Sequence, residues 1–262
     1  MQFGQLTNPT KDVLKEVKSI SKWADYVEIG FEPPVAKPEN VDKYVSQINK
    51  ILKKKDIFAI SHFAWYADFA SSIEIVRGAW VSEAKKAIEI SHKMSVKKFN
   101  IHINPSKGMT KKSKYMKNEL NNLVKSAKEL VKFAKKFGIE VMIENITEDK
   151  FSEFKYMNYV VKNTPGLKVH LDVGHAFCVD EYKEIEKYFK VFGKNLIHVH
   201  ISDNFGEEDD HLQLGDGKIN WKKVAKIIKK YKYDRTITPE IFNGRGGAKR
   251  AASVLKKYLL KI

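Results

Sequence analysis

Residues 167–201 read LKVHLDVGHAFCVDEYKEIEKYFKVFGKNLIHVHI. Two short apolar, β-branched runs, 167–172 and 195–201, flank a helical pattern near 181–191, which is the signature of a β-α-β unit with parallel strands. Reading outward in both directions, the same alternation recurs along the whole chain. Strands are expected at 2–6, 26–30, 57–61, 98–103, 139–144, 167–172, 195–201 and 235–241. Helical patterns lie near 10–23, 39–54, 74–93, 114–137, 151–162, 181–191, 220–230 and 247–260. In the fourth of these, Leu120, Leu123, Val124, Ala127, Leu130, Val131 and Ala134 form one buried stripe at helical spacing. Eight strands alternating with eight helices predict one α/β domain spanning 1–262, a closed (β/α)8 TIM barrel. The length of 262 residues is close to the roughly 250 typical of that fold. The alternative is an open doubly wound sheet, but no glycine-rich phosphate loop follows the first strand.

The composition, 43% hydrophobic and 31% charged, is that of a globular protein. Cys178 is the single cysteine, which excludes a disulfide framework and a thiolate metal site and fits a reducing cytoplasm. No apolar run reaches the ~18 residues of a membrane span and no signal peptide is visible, so a cytoplasmic protein is expected. The formal charge of +16 raises nucleic acid as a partner, yet only four of the 48 basic residues are arginine: Arg77, Arg235, Arg245 and Arg250. Base reading and bidentate phosphate grip favour arginine, and the lysines fall mostly on polar helix faces. Most of the charge therefore reads as solvated surface, with nucleic acid the minority reading.

In a barrel the chemistry sits at the C-terminal ends of the strands. There the sequence places His62 after strand three, His102 on strand four, Glu144 and Asn145 on strand five, and Asp172 with His175 at strand six. His200 follows on strand seven, Asp209 and His211 in the loop beyond it, and Glu240 on strand eight. Each alone has an ordinary explanation: a lone histidine is usually a hydrogen-bonded core or surface residue, as expected here for His92 and His170, and a carboxylate at a strand end can cap the next helix. Together they do not. Converging buried carboxylates repel unless protonated or neutralised by a cation. Mixed imidazole and carboxylate donors suit two or three ions of Zn²⁺, Mn²⁺, Fe²⁺ or Co²⁺, with Glu144 or Glu240 as a carboxylate shared between neighbours.

With these residues in place, the chain resembles the xylose isomerase-like barrel superfamily, which includes endonuclease IV, sugar and sugar-phosphate isomerases and ketose 3-epimerases. The resemblance rests on 171–177 (LDVGHAF), 198–204 (HVHISDN) and 209–221 (DDHLQLGDGKINW). It implies a trinuclear ligand set of His62, His102, Glu144, Asp172, His175, His200, Asp209, His211 and Glu240, of which Glu144, Asp172, His200 and Glu240 form the epimerase-type subset. Three departures are visible. The loop with which endonuclease IV reads DNA after its second strand is missing, and that place reads 27–34 (VEIGFEPP). The His-Ala-Pro after strand three is His62-Phe63-Ala64. Gly206 stands where epimerases carry an arginine.

Two activities follow as expectations. The first is a sugar or sugar-phosphate isomerase or epimerase working through a metal-stabilised enediolate, with Glu144 and Glu240 as acid and base on opposite sides of the barrel. His175 would position a substrate hydroxyl, Trp65 and Tyr66 would pack on the sugar, and Asn145 would join the binding site. Arg245, in the glycine-rich 243–247, would hold a phosphate. The second is an endonuclease IV-like phosphodiesterase using the full metal cluster, for which the basic surface would be functional.

Overall fold

In the computed structural model, eight parallel strands close into a barrel in the order of the sequence, β1 pairing with both β2 and β8. The structure describes residues 1–106, 113–147, 151–241 and 246–262, with side chains of the helix at Ser113 described from Tyr115 onward. The strands are β1 (Gln2–Leu6), β2 (Tyr26–Phe31), β3 (Phe58–Phe63), β4 (Lys98–His102), β5 (Glu140–Glu144), β6 (Lys168–Asp172), β7 (Leu196–Ile201) and β8 (Thr236–Pro239). The helices outside them are α1 (Val13–Ile20), α2 (Pro38–Asp42), α3 (Val45–Lys55), α4 (Glu74–Lys93), α5 (Ser113–Lys135), α6 (Phe154–Lys162), α7 (Val173–Phe192), α8 (Trp221–Lys230) and α9 (Gly247–Leu260). This is a (β/α)8 TIM barrel, and none of its described helices is long and apolar enough to cross a membrane.

Two helices depart from the sequence pattern. The stretch expected as one helix over 39–54 is two, α2 and α3, broken at Lys43–Tyr44. The helix expected from 181 begins at Val173, because the Asp172 carboxylate accepts from His175 N at 2.7 Å and caps it. The two pieces meet at a kink, where Asp180 and Glu181 leave helical geometry. Starting the helix directly at the strand end fixes His175 in its first turn.

The main core lies between strands and helices, where Leu123, Ala127, Leu130 and Ala134 of α5 are buried as the stripe required. A second apolar cluster of Tyr26, Ile60, Met142 and Ile197 plugs the barrel interior. Gly4 makes room for that plug, since a Cβ there would stand 2.2 Å from the Tyr26 ring. The β6–β7 register slips between Val169 and His170, whose partners jump from Leu196 to His198. The skipped Ile197 joins the plug, while His198 and His200 pair with His170 and Asp172.

Candidate metal centre

Strand register assembles the deepest part of the site. Glu144 is paired on one side with His102 and on the other with His170, and His200 is paired with Asp172 and Thr238. All these side chains are buried. Glu144 Oε2 lies 3.3 Å from His62 Nε2, 3.0 Å from His102 Nε2 and 3.1 Å from His170 Nδ1, and it accepts from Asn100 Nδ2 at 2.6 Å. Its other oxygen, Oε1, is 3.4 Å from His200 Nδ1. Burial alone would raise the Glu144 pKa, but His170, His102 and His200 hold it well below the carboxylate range. The imidazoles divide accordingly. Burial pushes His102 and His170 down, whereas His62, between Glu144 and Glu32, overcomes burial and is raised to about 10.

Asp172 and Glu240 complete this basin. Glu240 Oε2 stands 3.0 Å from His200 Nδ1. Burial, with Asp209, Glu144 and Glu240 nearby and His175 opposing, raises Asp172 to about 6. Glu144, Asp172, His200 and Glu240 each offer a donor atom within 4.8 Å of all the others, and His62, His102 and Glu144 form a second such group. Asp172 Oδ2, His62 Nδ1 and His102 Nδ1 are buried without a hydrogen-bond partner, as donors awaiting a cation would be.

A third group sits at the rim. Asp209 Oδ2 lies 2.9 Å from His175 Nε2 and 2.8 Å from His211 Nε2. Each imidazole is oriented from behind by a backbone carbonyl. His175 Nδ1 donates to Asn145 O at 2.7 Å and His211 Nδ1 to Glu240 O at 3.0 Å, so both turn Nε2 toward the same point. Donation of the second ring N–H to a carbonyl is how proteins set the tautomer of a metal-bound histidine. The loop that carries Asp209 and His211 hangs on buried Asp203. Its carboxylate accepts from the backbone N–H groups of Asn204, Gly215 and Ile219 and from Trp221 Nε1.

Nine residues thus supply imidazole and carboxylate donors without a thiol, and four of their atoms, His62 Nδ1, His102 Nδ1, Asp172 Oδ2 and Asp209 Oδ1, are buried without a hydrogen-bond partner. This donor chemistry fits divalent ions of the zinc–manganese class. A family model described as "Xylose isomerase-like TIM barrel" matches residues 16–258. The chain belongs to that family. Two relatives from Methanocaldococcus jannaschii are themselves uncharacterized proteins. MJ1614 is 39% identical over 114 residues, covering 42% of this chain and 43% of its own, so the match spans less than half of that relative. MJ1311 is 29% identical over 235 residues, covering 85% of this chain and 75% of its own. Among solved structures, one described as a D-tagatose 3-epimerase-like protein superposes with a TM-score of 0.88 at 25% identity, covering 100% of this chain and 98% of that one.

The remaining residues expected at the mouth of this xylose isomerase-like barrel differ in how they are held. Trp65 is 55% exposed and meets Tyr66 edge-on at 5.5 Å, while the Tyr66 hydroxyl donates to Pro33 O at 2.8 Å. Asn145 is buried with both ends of its amide on the Asp172 backbone, so it fixes the end of β6. Arg245, with 243 and 244, lies outside the described residues. His170 is a hydrogen-bonded core histidine, as expected, but one of its neighbours is Glu144. His92 packs against Phe137 away from the site.

Sequence reasoning missed four residues: Glu28, Glu32, Asn100 and His198. Glu28 Oε2 accepts from Thr238 Oγ1 at 2.6 Å and faces His198 Nε2 and His200 Nε2 at 3.0 and 3.1 Å. Glu32 Oε1 is 3.6 Å from His62 Nδ1. A signal for Glu28 was present, because alternation along β2 turns it inward with Tyr26. A buried acid in a strand needs a partner.

Proposed function

We propose that this protein is a divalent-metal-dependent isomerase or epimerase of sugars or sugar phosphates. The observation that carries the reading is the four-donor group of Glu144, Asp172, His200 and Glu240, one residue from the end of each strand from β5 to β7 and one just beyond β8. The likeness to a D-tagatose 3-epimerase-like structure supports the same substrate class. Glu144, Asp172, His200 and Glu240 would hold a divalent ion, which when bound would supply a Lewis acid for adjacent carbonyl and hydroxyl oxygens of a sugar.

The protein's own residues then move the proton. Glu144 and Glu240 lie three strands apart and approach the same His200 nitrogen, at 3.4 and 3.0 Å. They flank one space, so one carboxylate can take the proton from a bound sugar while the other returns it to the opposite face. His175, locked by Asn145 O, offers Nε2 to a substrate hydroxyl or a second ion. Trp65 and Tyr66 present aromatic surface to the apolar face of a ring or chain.

A second reading has one specific observation in its favour. The rim group of His175, Asp209 and His211 and the group of His62, His102 and Glu144 extend the four-donor set to the full trinuclear pattern of an endonuclease IV-like phosphodiesterase. One paired assay separates the two. Deuterium uptake from heavy water into a panel of ketoses and ketose phosphates is expected with added Mn²⁺ or Zn²⁺. Incision of an abasic-site oligonucleotide without sugar exchange would overturn the first reading.

A further inference from the structure

Beneath the four-donor group, the barrel interior holds a buried polar file that the proposed four-donor site and its proton transfer do not include. Glu28, Thr238, His198 and Thr236 are all essentially inaccessible to solvent. A carboxylate in that position is costly unless it is hydrogen-bonded. Here Glu28 Oε2 is the convergence point of three donors: Thr238 Oγ1, His198 Nε2 and His200 Nε2.

The direction of each hydrogen bond follows from its chemistry. Thr238 donates its hydroxyl to Glu28, so at 2.8 Å the Tyr26 hydroxyl donates to Thr238 Oγ1. At the other end, the Lys98 ammonium donates to Thr236 Oγ1 at 2.8 Å, and the Thr236 hydroxyl faces two acceptors, Ile197 O at 3.2 Å and the closer His198 Nδ1 at 2.8 Å. The His198 Nε2–H then points at Glu28. Both chains end on the same carboxylate oxygen, and their rigid supports (the Tyr26 ring of the plug and the Lys98 stem) fix where it stands.

We infer that Glu28 is the positioning residue for His200: it takes the Nε2–H, turns Nδ1 toward Glu144 and Glu240, and raises the basicity of that nitrogen as a metal ligand. The inference rests on the metal-dependent reading above. His175 and His211 are held from behind by neutral backbone carbonyls, whereas His200 is held by a carboxylate. The carboxylate-imidazole arrangement makes the deepest ligand the strongest donor of the three. Glu28 touches neither the ion nor the substrate, and acts only through the imidazole.

The test is Zn²⁺ affinity, measured by competition with a chromophoric chelator on chelator-stripped wild type and on Glu28→Gln, beside the thermal midpoint of the metal-free proteins. The glutamine fills the same volume without the charge. It is expected to weaken one of the bound Zn²⁺ ions about 10–100-fold. In Co²⁺-loaded protein it should also shift the visible absorption of that site. A lowered thermal midpoint with wild-type Zn²⁺ affinity would make Glu28 merely structural and overturn the inference. Thr238→Val removes only the supporting hydroxyl and serves if Glu28→Gln does not fold. A several-fold loss of affinity supports the inference, and an unchanged affinity contradicts it. Wild-type protein that takes up no Zn²⁺ would instead contradict the metal-dependent reading, so the two failures are distinguishable.

Discussion

The inner basin and the rim group use the same donor types but are built in different ways. His62, His102, Glu144, Asp172 and His200 stand on strands, and their spacing is set by a hydrogen-bonded register that cannot shift without reopening the barrel. Asp209 and His211 stand on a loop, and their spacing depends on one buried aspartate, Asp203, and on an antiparallel bridge between Asp203 and Leu212. His211 even takes a positive φ of 47°, a conformation uncommon outside glycine. The deep donor residues are therefore fixed by the fold, and the rim donor residues by a local clamp. The comparison implies that the rim can be dismantled while the basin survives.

Glu144→Gln should give the largest effect. It keeps the hydrogen-bonding shape but removes the charge shared by His62, His102, His170 and His200 and the proposed proton acceptor. Activity on whichever sugar exchanges deuterium should fall at least 10²–10⁴-fold. A variant retaining wild-type exchange would remove Glu144 from the mechanism and break the basin as the chemical half of the comparison.

Asp203→Ala tests the clamp. It leaves four donors, three of them backbone N–H groups, without their acceptor. We expect a loss of about 3–5 kcal/mol in unfolding free energy. We also expect the loss of one bound metal equivalent, that of the rim, with the basin still loaded. Simultaneous loss of every equivalent would show that rim and basin are one unit.

The smallest effect lies below both regions, at Lys98. Burial, helped by Arg235, lowers its pKa from 10.5 to about 8. The unfolded chain therefore binds more protons than the folded one between those values, and the penalty for burying the charge fades as pH rises from about 8 to 10.5. Lys98→Met removes the penalty together with the hydrogen bond to Thr236. The difference in thermal midpoint, variant minus wild type, should thus fall as pH climbs through that window. A difference that stays constant with pH would contradict the buried charge.

The same contrast governs what could be read from the sequence. All eight strands, and the position of each basin residue at a strand end, were legible because short apolar, β-branched runs alternate with longer helical patterns. The rim was legible as residues near the strand ends, His175 after strand six and Asp209 with His211 in the loop after strand seven, but nothing in loop composition reports where a loop returns. The early start of α7 escaped notice because Asp172 looked like either a cap or a ligand, and its carboxylate caps α7 while lying in the four-donor group. Glu28 escaped because its partners, His198, His200 and Thr238, are at least 170 residues away in sequence and meet it only across the closed barrel. The split of the second helical stretch at Lys43–Tyr44 has no marker in the hydrophobic pattern.

The measurement closest to the central claim is the metal content of the purified protein, followed by stoichiometric reloading after stripping with a chelator. The overlapping donor groups among the described residues predict two to three equivalents of zinc, manganese, iron or cobalt per chain, reduced by Glu144→Gln. Less than one equivalent, in protein handled without chelator and after reloading, would contradict a metal centre at the strand ends.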